Sequence, residues 1–259
     1  MGAALLAGWL ERGLDAQSIV VQEPDLKGAA AELVARHGIR VLRPAQSLER
    51  PPSVIVVAVK PQVMDQVFPG LAKLAGPATV VLSIAAGRSI ASFEKHLAAK
   101  SAVVRAMPNT PAAIRRGITG AVGNSALNGS QKKSCDALLA AVGDVVWLDQ
   151  EHLIDAVTAV SGSGPAYVFL LAECLCQAGC DAGLDRDTAM KLARATVSGA
   201  GELLRQSNDG PAILRQNVTS PGGTTAAALA VLMRNQNGMQ NLLTEAVIAA
   251  LKRSQELGS

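Results

Sequence analysis

Residues 53–59 read SVIVVAV, and no polar side chain interrupts the run after Ser53. A strand with one wet face alternates apolar and polar residues, whereas a continuous run belongs where helices cover both faces of a parallel sheet. Runs of the same kind recur as SIVV at 18–21, TVVLSIAA at 79–86, AVVRAM at 102–107 and DVVWL at 144–148. Helical patterns such as DLKGAAAELVARHG at 25–38 lie between them, so the order is β, α, β and the predicted fold over 1–149 is a doubly wound α/β sheet. Past residue 150 the strand pattern stops. The rest predicts helices over 151–181, 185–207, 211–217, 224–235 and 239–257, a second domain, 150–259, that is all α. In the last helix Leu242, Leu243, Ala246, Val247, Ala250 and Leu251 share one face, which fits either an intrachain core or a partner helix in a dimer.

With 259 residues and 49% apolar content, the chain can bury a large core and form two domains. A net charge of +3, 2% aromatic residues and a single tyrosine, Tyr167, argue against nucleic acid, which needs a basic stripe or stacking rings. Unbroken apolar runs fall short of the about 18 residues of a membrane span, and MGAALLAGWLERG lacks a basic leader, so the expectation is a cytoplasmic protein without a membrane partner. Cys135, Cys174, Cys176 and Cys180 read as small buried hydrophobes, with a redox pair or metal site as the alternative. His37, His96 and His152 stand apart, and no metal site is expected.

Ligands of a doubly wound sheet bind outside the carboxyl ends of its strands. Those ends carry Lys60-Pro61-Gln62, Gly87 and Pro108-Asn109-Thr110-Pro111, which place a lysine, bare backbone and an amide on one rim. Each alone is an ordinary turn; together they favour a site. A dinucleotide-binding unit opens with a strand, G-x-G-x-x-G and a helix, and here only the third glycine, Gly2, is present before the helix AALLAGWLERG. Glu23 and Asp25 follow the strand SIVV, where an acid meets an adenosine ribose.

A second motif lies at 218–225, VTSPGGTT, before the plain helical run AAALAVLM. Pro221 fixes its own φ, Gly222 and Gly223 bare the backbone, and Thr224 or Thr225 can cap the helix. A helix start of this kind holds an anion or a carboxylate, or else it is a tight interhelical turn.

Taken together, MGAALLAGWL, VKPQ, SIAAG, RAMPNTP, VTAVSGSGPAYVF and VTSPGGTTAAAL resemble the bacterial pyrroline-5-carboxylate reductases over the whole chain. The resemblance implies a Rossmann-like nicotinamide domain followed by an all-α dimerisation domain, assembled as a homodimer or larger ring. It implies reduction of the cyclic imine 1-pyrroline-5-carboxylate to L-proline with NADPH or NADH. Val218, Ser220, Gly222, Gly223, Thr224 and Thr225 would hold the substrate, with Thr225 as the catalytic donor near the imine nitrogen. Gly2, Glu23, Ala58, Val59, Lys60, Pro61, Ala85, Ala86, Asn109 and Asn217 would line the cofactor. Glu23 favours a free ribose hydroxyl, the family commonly uses NADPH, and dual use is the expectation. Ser161 and Ser163 start a helix that either faces the cleft or packs closely.

Family members begin with a strand and G-x-G-N-x-G, so Met1-Gly2 match only the end of that hexad. The expectation is a late start or a truncated chain, short by roughly a dozen residues, with an unpaired sheet interior, lowered stability and weak cofactor binding. Two other readings stay open. One is a hydroxy-acid reductase of the same architecture, whose helical domain would carry a catalytic lysine; Lys191 is the sole lysine between 134 and 251. The other is a non-catalytic helical dimer.

Overall fold

The computed structural model describes residues 1–42 and 48–258. It divides into two units. The first is Met1–Gly162 together with the end of the chain from Leu251, and the second is Ser163–Ala250.

Among the described residues the first unit carries seven strands in two sheets. β1 (Val20–Val21) and β2 (Arg40–Val41) pair in parallel as a small sheet. The larger sheet has the order β3 (Val54–Val57), β4 (Val80–Ser83), β5 (Ala102–Met107), β6 (Gly117–Gly123) and β7 (Gly143–Trp147). All its pairings are parallel except β5 with β6. Within the described residues β1 and β3 are each paired along one edge only.

The continuous apolar runs are explained by helices on both faces. Ile55, Val57, Val81 and Val103 bury against Met64, Phe68 and Leu71 of α3 (Met64–Ala72), Phe93 of α4 (Ile90–Glu94) and Ile154 of α6 (Leu153–Val157). On the opposite face Val80, Leu82, Ala102 and Val104 meet Cys135 and Leu139 of α5 (Gly129–Ala140). Alternate residues of one run thus enter two cores, and polar residues have no place in it. The helix α1 (Gly2–Glu11) joins the two sheets in the same way: Leu6 packs with Ile19, Val34 and Ile39 beside β1 and α2 (Gly28–His37), while Leu5 packs with Ala112 and Val142.

Two strands were not anticipated. β6 reads GITGAVG, three glycines in seven residues, and glycine weakens a strand pattern. Its reason is packing: a Cβ on Gly120 would stand 2.8 Å from a Val157 methyl. β6 also makes the sheet mixed. β2 spans only two residues.

The second unit is helical, with α7 (Gly164–Asp181), α8 (Arg186–Gln206), α9 (Pro211–Asn217), α10 (Thr224–Leu232) and the start of α11 (Met239–Gly258). The expected helix 151–181 is broken by a π turn at Thr158–Gly162. Thr158 and Ser161 donate to carbonyls four residues back, Ile154 and Val157, a bonding that bends helices. By length and composition the stretch Leu153–Asp181 suffices to cross a membrane, at mean hydropathy 1.3, a test that core helices also pass. The unbroken apolar runs within it are still short, since Asp155, Ser161, Ser163, Glu173 and Gln177 interrupt them. Cys135 and Cys176 are buried as expected, but Cys174 is exposed on α7 and Cys180 half-buried. Burial pushes the Cys135 thiol up to about 12.

Candidate active site

α1 begins at Gly2 with no side-chain cap and no acid in its first turn. Its leading amides therefore present the positive end of the helix without a capping group. Trp9 fixes the helix by donating to the Leu138 carbonyl at 2.8 Å, and Leu5 is fully buried. A Cβ on Gly2 would lie 3.3 Å from that of Ala58, so two small residues bring the helix start onto the end of the β3 run. An uncapped helix start free of carboxylates, seated on a strand end, fits a pyrophosphate.

The turns after β3 and β4 are joined by Arg88. Its guanidinium donates to both Asp65 oxygens, at 2.9 and 2.8 Å, and to the Pro61 carbonyl at 2.9 Å. The Lys60-Pro61 turn and the Ala85-Ala86-Gly87 turn are therefore held as one piece. The Arg88 hydrogen bonds keep the Asp65 carboxyl below its ordinary value. Lys60 is exposed, Ala85 is buried with its amide bonded to the Ser83 hydroxyl, and Ala86 is exposed.

Arg105 ties the third turn in. It sits inside the apolar run of β5, 7% exposed, with Nη1 3.1 Å from Glu151 and Nη2 3.6 Å from Asp155. Its Nε is buried without a partner among the described residues. Asn109, beyond β5, accepts from the Ile118 amide at 2.9 Å and donates to the Ser161 carbonyl at 3.2 Å, which braces the π turn. Its side chain is 9% exposed and spent largely on structure. Val59 is half-buried, while Glu23 lies exposed beyond β1, its carboxylate accepting the Asp25 amide at 3.1 Å; Lys27 pairs with Asp25.

Arg88, Arg105, Glu151 and Asp155 were missed in the sequence. A lone arginine in AVVRAM was the one available signal, since a charge in a doubly covered strand needs partners. Arg88 follows a glycine in a turn and gives no such sign.

In the second unit, residues 218–225 connect α9 to α10. Gly222 has φ 69°, a region open to glycine, and the Gly223 amide donates to the Ser220 carbonyl at 3.1 Å. A Cβ at Gly223 would collide with the Ser220 hydroxyl. The N-cap of α10 is Gly223, without a side-chain cap bond, so Thr224 and Thr225 occupy the first helical positions and neither hydroxyl caps the helix. The capping role foreseen for them is not what the structure shows: the backbone at Gly223 already has the cap conformation. Ser220 and Thr224 are exposed and Thr225 half-buried, so the turn joins an uncapped helix start to three hydroxyls. Val218, 64% exposed, and Asn217 precede it.

Lys191 lies exposed on α8 in a shallow groove lined by Asp187, Met190, Arg194, Ala195 and Ser198 of the same helix. Among the described residues no three His, Cys, Asp or Glu gather in one place.

The sequence is 41% identical over 257 residues to the pyrroline-5-carboxylate reductase of Pseudomonas aeruginosa, covering 99% of this chain and 93% of that one. The chain belongs to the pyrroline-5-carboxylate reductase family. The Synechocystis sp. member is 43% identical over 262 residues, covering 100% and 95% of the two chains. Residues 151–257 match the family described as pyrroline-5-carboxylate reductase dimerisation, and residues 1–87 match NADP oxidoreductase coenzyme F420-dependent. The solved Coxiella burnetii pyrroline-5-carboxylate reductase superposes with TM-score 0.89 at 33% identity, over 100% of this chain and 95% of that one. The Plasmodium falciparum pyrroline carboxylate reductase, solved with NADP bound, superposes with TM-score 0.80 at 29% identity over the same shares. The Rossmann-like domain followed by a helical dimerisation domain is thus the architecture of the family, and its members are oxidoreductases.

Proposed function

We propose that this protein reduces 1-pyrroline-5-carboxylate to L-proline with NADPH or NADH. The observation that carries the reading within the chain is the uncapped start of α10 in 218–225, where bare amides and hydroxyls suit a carboxylate. The functional division is a dinucleotide domain at 1–149 and a substrate and dimerisation domain at 150–259.

In this reading the amides of Gly222, Gly223 and Thr224, with the Ser220 hydroxyl, hold the substrate carboxylate, and Val218 bounds the site. Reduced nicotinamide, when bound, supplies hydride to the imine carbon. Thr225 places its hydroxyl by the imine nitrogen. A threonine hydroxyl is a weak acid at neutral pH, so its task is to orient the nitrogen or relay a proton to it. Gly2 and the α1 amides take the pyrophosphate, with Lys60 as a neutralising charge. Ala58, Val59, Pro61, Ala85 and Ala86 line the nicotinamide half. Asn109 contributes by holding the rim, and Asn217, the last residue of α9, is assigned to the cofactor. Glu23 meets the adenosine ribose. NADP in the Plasmodium falciparum neighbour supports use of the phosphorylated cofactor.

The exposed apolar side chains of the helical unit, among them Phe169 at 63% and Leu242 at 62%, support a homodimer or larger homo-oligomer. They also support burial of Leu153–Asp181 by a second copy, and the bacterial relatives support a cytoplasmic location. The reading is tested by incubating the protein with pyrroline-5-carboxylate and NADPH and resolving the product by chiral chromatography. L-Proline in step with NADPH consumed is the expected result; its absence with both cofactors overturns the reading.

A further inference from the structure

The last turn of α11 touches the turn after β4 by two routes. Directly, Gly87 has φ 68° and carries no side chain, and a Cβ there would stand 3.1 Å from the Leu257 carbonyl oxygen and 3.7 Å from the Leu257 Cβ. Indirectly, the Ile90 amide donates to Glu151 Oε1 at 2.8 Å, and the same oxygen takes Arg105 Nη1 at 3.1 Å. Arg105 Nη2 lies 3.6 Å from Asp155, whose Oδ1 accepts the Ser254 hydroxyl at 2.7 Å. Ser254 and Leu257 are three residues apart, so they share a face of the helix. Both ends of the segment Gly87–Ile90 are therefore connected to one helical turn near the end of the chain.

The charges explain why Ser254 matters. Two carboxylates, Glu151 and Asp155, share one guanidinium, and the approach to Asp155 is the longer. Asp155 needs a further donor, and the Ser254 hydroxyl, on a residue 8% exposed, supplies it. α11 starts at Met239 in the helical unit, but its residues from Leu251 belong to the first unit, and it is these that meet the turn after β4.

We infer that Ser254 and Leu257 are positioning residues for the cofactor turn, acting through the Gly87 backbone and the Glu151, Arg105 and Asp155 relay. The inference rests on the reading that Ala85–Gly87 lines the cofactor. Neither residue touches the reacting atoms. They set where the turn stands before cofactor arrives, so their loss weakens binding of the dinucleotide and spares the site at 218–225.

The test compares the full chain with Ser254→Ala, Ser254→Thr and a chain ending at Arg253. Hydrogen exchange of the protein without cofactor is read at amides 87–90 and, as a reference, at β5. NADPH binding is read by nicotinamide fluorescence. Ser254→Ala and the shortened chain should speed exchange at 87–90 about tenfold with β5 unmoved, and raise the NADPH Kd about fivefold. Ser254→Thr, which keeps the hydroxyl, should restore both. Unchanged exchange at 87–90, or an equal rise in β5, overturns the inference. If the unsubstituted chain binds no NADPH, the cofactor reading fails while the exchange comparison still decides whether the helix end holds the turn.

Discussion

Arg88 meets Asp65 through two parallel hydrogen bonds, at 2.9 and 2.8 Å, and through that pair the turns following β3 and β4 become one rim. The pair is half in solvent, since Asp65 is 72% exposed, so its worth lies in geometry more than in net stability. Arg88→Lys keeps the charge but loses the fork. The KM for NADPH should rise about three- to tenfold while the KM for pyrroline-5-carboxylate stays within twofold. Steady-state kinetics with each substrate varied in turn checks this, and an equal rise in both would detach Arg88 from the cofactor rim.

The same pair sets an acid limit. Asp65 titrates below its ordinary 3.8 in the folded protein, so its contribution is present above that value and fades as pH falls through the lower folded value. The difference in Tm between the parent and Asp65→Asn should hold steady from about pH 7 to about pH 4 and shrink only at lower pH. Melting curves across that range check the sign; a difference that shrinks near neutrality would assign it to another group.

Thr225→Ala should lower kcat about ten- to a hundredfold and move Tm by less than about 2 °C. The second figure follows from the cap: Gly223, not a threonine, occupies that position, so removing the hydroxyl leaves the helix start intact. Thr225→Ser should recover most of the rate. A large loss of Tm in Thr225→Ala would return the residue to a structural role.

How far the sequence carried the fold is plain from two strands. The run SVIVVAV encodes burial on both faces, and the structure places Ile55 and Val57 in one core with Val54 and Val56 against the other. GITGAVG encodes nothing of the kind, because its glycines exist to admit Val157 and other neighbours that only the folded chain brings near. The site divides in the same manner. The turn at VTSPGGTT was legible since proline and glycine act on their own backbone, whereas the cap foreseen for Thr224 or Thr225 falls to Gly223. The rim was not, because Arg88, Glu151 and Asp155 acquire their parts from partners 23 to 99 residues away in sequence.

Arg105→Ala should be the costliest single change on the rim. It leaves Glu151 and Asp155 close together without their cation, and loss of one member of a buried pair costs about 3–5 kcal/mol, here nearer the lower figure because Glu151 is 32% exposed. Denaturant midpoints measure it, and a loss below about 1 kcal/mol would mean that water replaces the guanidinium.

Glu23 is predicted to set cofactor choice. Glu23→Ser should shift the ratio of kcat/KM for NADPH over NADH upward about tenfold by removing a carboxylate from the 2′-phosphate. An unchanged ratio would remove Glu23 from the account.

Catalysis as proposed requires the helix start at 218–225 to hold a substrate carboxylate while a nicotinamide is oxidised. The measurement is NADPH and NADH oxidation with pyrroline-5-carboxylate and, in parallel, with 1-pyrroline, the same ring without its carboxylate. Turnover of the first, with kcat/KM at least about a hundredfold higher than for the second, is the result expected from loss of charge-assisted hydrogen bonds. Equal rates with the two imines, or no imine-dependent oxidation by a folded protein, would contradict it.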